Sequence, residues 1–119
     1  MKNDFQIINL TRKFILNLNN IVKNFPNKEK LLKDKIYETS FNLLETMYHI
    51  NYLSKKDYLE ERIHLEYNLL YKISMIDFYF EIAYLNKYIS EKKCINLNKQ
   101  LTIIFNKIQG WIKSEKSNN

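Results

Sequence analysis

Along the first part of the chain, Phe5, Ile8, Ile15, Leu18 and Val22 recur at spacings of three or four residues or their multiples, and Ile7, Leu10, Phe14 and Ile21 form an adjacent stripe. That periodicity gathers apolar side chains on one side of a helix, so it predicts a first helix over about 4–24 with a broad apolar face. Phe25-Pro26-Asn27 interrupts it, because proline pushes the preceding residue into extended geometry and cannot itself continue a helix. Asn27 is then the expected N-cap of a second helix.

The second helix is expected over about 28–51. Leu32, Ile36, Leu43, Leu44 and Met47 make one stripe, and Tyr37, Phe41 and Tyr48 make another, so the helix is apolar on two sides. Ser54-Lys55-Lys56-Asp57 approximates a capping box, and Glu60 and Glu61 set negative charge near the positive end of the dipole that follows. A third helix is therefore expected over about 55–86, through Ile63, Tyr67, Leu70, Ile73, Phe80 and Tyr84, with Leu69, Ile76, Tyr79 and Ala83 beside them. At about 45 Å it is the longest expected element. Ser90 with Glu91 reads as the cap of a fourth helix over about 91–113, carried by Leu97, Leu101, Ile104, Ile108, Trp111 and Ile112. The polar run 114–119 is expected to fray. Short connections favour antiparallel neighbours, so the pattern predicts one all-α domain over 1–119, an up-down-up-down four-helix bundle.

Composition sharpens this picture. The chain has 119 residues with one Gly and one Pro, and lacks the Asn-Gly or Asp-Gly turns of an all-β fold. Its aromatic share of 14%, with nine Tyr and seven Phe, offers more apolar and half-polar surface than one small core consumes. Part of that surface is expected to meet another chain. The apolar stretches are broken every few positions by polar residues, so no signal-peptide core or membrane span is expected. Cys94 is the sole cysteine, which excludes an intramolecular disulfide and a thiolate metal cluster and fits a reducing cytoplasm.

Lys and Arg total 19 against 13 Asp and Glu, for a net charge of +6. The excess is uneven. Residues 1–26 carry four cations (Lys2, Arg12, Lys13, Lys23) and one acid, and residues 90–119 carry six cations (Lys92, Lys93, Lys99, Lys107, Lys113, Lys116) and two acids, whereas the middle of the chain is near neutral. In an up-down bundle the first and last helices are neighbours, so the charge would gather on one side and attract a polyanion. Arg12, Lys13, Lys23, Lys99, Lys107 and Lys113 are the candidate RNA- and DNA-binding residues.

Catalytic chemistry finds little support. His49 and His64 are the only histidines, and neither has a Ser or Cys at a spacing that suggests a nucleophile and base. Glu61-Arg62-Ile63-His64 has the Glu-x-x-His spacing of di-iron bundles, but such a site needs a second copy of the motif and further carboxylates, and the fourth helix has no His. With Gly110 as the only glycine, no phosphate-cradling loop exists. No catalytic residue, metal site or cofactor is expected. Cys94 near a helix start would have a lowered pKa if exposed there, but burial as a small apolar residue is the preferred expectation. Phe25, Pro26, Gly110 and Trp111 are expected to be structural or interface anchors. Glycine costs helix stability at position 110, an expense a close helix contact could offset, and Trp111 at helical spacing with Ile108 and Ile112 reads as an anchor rather than a base-stacking platform.

Asn24-Phe25-Pro26-Asn27-Lys28-Glu29-Lys30, the Leu-rich second helix, the Tyr-Ile-Ser segment before the fourth and the closing Gly110-Trp111-Ile112-Lys113-Ser114 together resemble the accessory variability determinant family, the accessory subunits of diversity-generating retroelements. The resemblance covers about 24–114. It implies a small basic four-helix bundle that assembles as a homopentamer, binds the retroelement's reverse transcriptase and its template RNA, and supports mutagenic complementary-DNA synthesis without chemistry of its own. This chain departs from the family in being dominated by Lys, with only Arg12 and Arg62. The four-helix proteins encoded in intervening sequences of bacterial 23S ribosomal RNA genes share the Phe-Pro and bundle pattern and are the second candidate, although the Asn-Ile-Ala-Glu-Gly type of segment typical of them is absent. A metal-dependent bundle enzyme is the third.

Overall fold

Four helices account for nearly the whole chain in the computed structural model, which describes residues 2–117 and the side chains of residues 5–117. They are α1 (Lys2–Val22), α2 (Lys30–Tyr52), α3 (Leu59–Leu85) and α4 (Glu91–Ser117), and no strand occurs among the described residues. Each helix packs on two neighbours, α1 on α2 and α4, and α3 on α2 and α4. The molecule measures 47 × 23 × 19 Å. Its long axis is that of helices of 27 residues at about 1.5 Å per residue.

The core runs the length of this four-helix arrangement, from Ile7, Phe14 and Leu18 of α1 through Ile36, Leu43 and Met47 of α2 and Leu69, Ile76 and Phe80 of α3 to Leu97, Ile104 and Ile108 of α4. Phe14 and Phe80 meet across the middle with ring centroids 6.1 Å apart and planes tilted by 59°, a geometry the aromatic quadrupole favours. The buried hydroxyls Thr11 and Ser40 donate to Ile7 O at 2.8 Å and Tyr37 O at 3.1 Å, so their own helices satisfy them.

The element boundaries differ from expectation where the cause is local. Asn27 is not the cap of α2. Pro26 opens a single 3₁₀ turn, Asn27–Glu29, closed by Glu29 N donating to Pro26 O at 2.9 Å, and α2 starts only at Lys30 with no side-chain cap. Phe25 is buried there against Tyr88, ring to ring at 5.7 Å, so the Phe-Pro break is an anchored corner. Ser54 does accept from Lys56 N and Asp57 N, but it caps the turn that crosses the end of the molecule, and α3 begins at Leu59 rather than near residue 55.

The exit of α3 carries a second device. Lys87 takes φ 63°, Lys87 N donates to Tyr84 O, and Tyr88 N donates to Ala83 O, both at 2.9 Å. This is the Schellman pattern with lysine in the left-handed position usually given to glycine. Ser90 caps α4 as expected, accepting from Lys93 N at 3.1 Å. The segment expected to fray stays helical through Ser117, because Glu115 is buried in its middle. Asn118 and Asn119, the rest of that segment, lie outside the described residues.

Candidate nucleic-acid and partner surfaces

Arg12 and Lys13 are exposed on α1, Lys23 is exposed in the turn just after it, and Lys99, Lys107 and Lys113 are exposed on α4. These two helices pack side by side. The six do not form one surface, however. Arg12 leans onto α2, where its Nη1 donates to Tyr48 Oη at 3.2 Å. Lys113 borders a groove between α3 and α4, lined also by Tyr67, Gln109 and Lys116. Lys116, not singled out from the sequence, closes part of that groove, donating to Tyr67 Oη at 2.6 Å with its ammonium 4.9 Å from the ring centre.

Two aromatic surfaces stand out on the exterior. Over the α1–α2 seam Phe5, Leu16, Phe41, Tyr48 and Tyr52 are exposed, Phe5 by 66% and Tyr52 by 86%, with Phe41 stacked on Tyr37 at 6.1 Å and 13°. Along α3, Tyr67, Tyr71, Phe78 and Leu85 recur every three or four residues or their multiples and are likewise exposed. The expected core stripe of α3 is corrected here. Its buried side is Arg62, Glu66, Leu69, Ile73, Ile76, Phe80 and Ala83, and Tyr67 and Tyr84 face outward. Apolar and aromatic residues are spread over several sides of this helix, so periodicity alone could not choose between faces.

The innermost polar cluster lies where α3 begins and α4 ends. Arg62 is 1% exposed, Glu66 0% and Glu115 2%. Arg62 Nε donates to Glu115 Oε1 at 2.8 Å, and Nη1 donates to Leu53 O at 2.7 Å and to Ile50 O. The guanidinium lies 5.6 Å from the centre of the Trp111 ring, which is itself buried. One side chain thus ties the last turn of α4 to the carbonyls at the end of α2, adding to the bond that Ile50 O already accepts from Leu53 N at 3.0 Å. The sequence did hold a signal for it: residues 62, 66, 69, 73, 76, 80 and 83 repeat at helical spacing, with charge at the first two positions.

Glu61 and His64 flank Arg62 but are exposed, in a shallow depression with Asp57, Tyr58 and Glu60. Among the described residues no group of three or more His, Cys, Asp or Glu side chains is arranged to hold a metal ion. Cys94 is half-buried and packs against the core. Burial pushes its thiol pKa up, and the negative charges of Asp77, Glu81 and Glu91 push the same way, opposite to the shift of an activated cysteine. Gly110 is exposed, and a Cβ built there would meet nothing within 4 Å among the described residues, so no close helix contact among them accounts for it. No helix among the described residues is long and apolar enough to cross a membrane.

No family model matches the sequence, and no curated protein matches it. Among solved structures, the chain is similar to a protein of unknown function from the S23 ribosomal protein family of Bacteroides thetaiotaomicron, with a TM-score of 0.78. The two are 16% identical, and the match covers 93% of this chain and 98% of that one. At that identity the likeness is one of fold, so the chain has the helical fold of that S23-family protein over nearly its whole length.

Proposed function

We propose that this protein is a non-catalytic accessory subunit of a diversity-generating retroelement, which binds template RNA, its DNA copy and the reverse transcriptase as a homo-oligomer, by resemblance a pentamer. The observation that carries the reading is the pairing of exposed lysines on α1 and α4 with two unlike aromatic surfaces, on the α1–α2 seam and on α3. Two different surfaces, one over the α1–α2 seam and one along α3, suit head-to-tail contacts, which close into rings, better than a two-fold dimer. The up-down-up-down order belongs to the same proposal. It is supported by the pairing of the α3 start with the α4 end through Arg62 and Glu115, and of the α3–α4 connection with the α2 start through Tyr88 and Glu29.

Lysines contact phosphates without reading bases, so binding is expected to be indifferent to sequence and to weaken steeply as salt rises. Fluorescence anisotropy with unrelated RNA and DNA strands tests this. Lys99→Glu with Lys107→Glu should weaken all of them alike and flatten the salt dependence. Equal binding by that variant would remove α4 from the contact. Light scattering should give a mass several times 14.6 kDa, and a concentration-independent monomer would count against the oligomer. The S23 family name of the structural neighbour favours, as second reading, a protein of the ribosomal-RNA intervening-sequence kind. A reverse transcriptase encoded beside this protein and co-purifying with it separates the two.

A further inference from the structure

Glycine in a helix interior is disfavoured because it gives up the most backbone freedom on folding, and such a residue is expected where something must come close. Among the described residues nothing does. Gly110 lies in α4, has no positive φ, and a Cβ there would meet no atom within 4 Å. Alanine would therefore fit without strain, and none of the described residues accounts for the glycine.

The surroundings give the chemistry of the visitor. Lys107 and Lys113 stand one helical turn before and one after Gly110, all three are exposed, and Lys99 is exposed further along the same helix. The acids of α4 are Glu91 at its start and Glu115, which is buried against Arg62, so this stretch presents no exposed carboxylate of its own. A second copy approaching with the same stretch would set lysines against lysines. A polyanion meets complementary charge.

We propose that Gly110 is the point at which a nucleic-acid phosphodiester backbone lies closest to α4, with Lys107 and Lys113 pairing the phosphates on either side. This rests on the nucleic-acid reading above and adds the place and register of contact. Any side chain at position 110 holds the backbone away and lengthens both lysine contacts.

The test uses the full chain with a labelled single-stranded RNA of uniform sequence, and compares wild type with Gly110→Ala and Gly110→Met by anisotropy, thermal melting and light scattering. The expected result is a higher Tm in both variants, unchanged mass, and RNA affinity reduced about tenfold in the first and further in the second, the scale of one lost charge-assisted contact. A higher Tm with unchanged affinity would overturn the proposal and leave the nucleic-acid reading standing. A fall in oligomeric mass would overturn it in favour of a contact between copies. Wild-type protein that binds no RNA even at low salt would overturn both.

Discussion

Arg62 offers the sharpest test of how the helix ends are held together. Replacing it by Met keeps most of the stem's packing but removes the guanidinium from Glu115 and from the carbonyls of Ile50 and Leu53. Breaking a buried ion pair from one side costs about 3–5 kcal/mol, because a charge is left in an apolar interior without its partner. Unfolding entropy of about 2.1 cal/mol/K per residue over 119 residues makes each kcal/mol worth about 4 °C in Tm. Arg62→Met should therefore lower the Tm by about 12–20 °C, read by circular dichroism and calorimetry. Glu115→Gln keeps an acceptor for Arg62 Nε and loses only the charge, so it should cost about 1 kcal/mol, about 4 °C. Because the two side chains touch, the double variant should be less destabilised than the sum. A loss of under about 4 °C for Arg62→Met would refute the account, since the cluster would then be no stronger than an exposed ion pair.

Lys87→Gly should raise stability by about 0.5–1 kcal/mol in urea unfolding, since glycine occupies the left-handed position at φ 63° without the Cβ clash; an unchanged midpoint would mean that the turn is not strained. The hydrogen bond from Tyr88 to Glu29 Oε1 at 2.6 Å, helped by burial and by the charge on Glu29, holds the Tyr88 phenol above its ordinary value of 10.0. Its folded pKa is raised, so this contribution is complete below pH 10.0 and is lost as pH climbs through the folded value; wild type and Tyr88→Phe should differ in Tm at pH 8 and converge in strong alkali. Trp111→Ala should cost about 3–5 kcal/mol and lower the Tm, and a variant that melts like wild type but no longer binds RNA would instead make Trp111 a stacking platform. Cys94 should react with iodoacetamide at pH 8 more slowly than a free thiol, because its pKa is raised; a faster rate would contradict its half-buried setting.

Helix number, order and approximate extent were legible from local rules: apolar spacing at three and four residues, one proline break, and the serine cap before Lys93. The basic ends of the chain were equally plain, being a matter of counting. What the periodicity of α3 could not say is which of its apolar sides goes inward, because Tyr67, Tyr71 and Phe78 have the same character as Leu69 and Ile76. Only the packing of α2 and α4 against it decides that, by presenting α3 with Arg62 and Glu66 on the buried side. Polarity at the end of α4 suggested fraying, and a partner far away in sequence reversed it, since Arg62 meets Glu115 across two helices. Local sequence thus determined where helices form, because backbone and nearest-neighbour energetics reach about one turn. The tertiary fold decided which lysines share a surface, which aromatic rows stay outside and whether Gly110 has a neighbour, because those depend on side chains brought together from opposite ends of the chain.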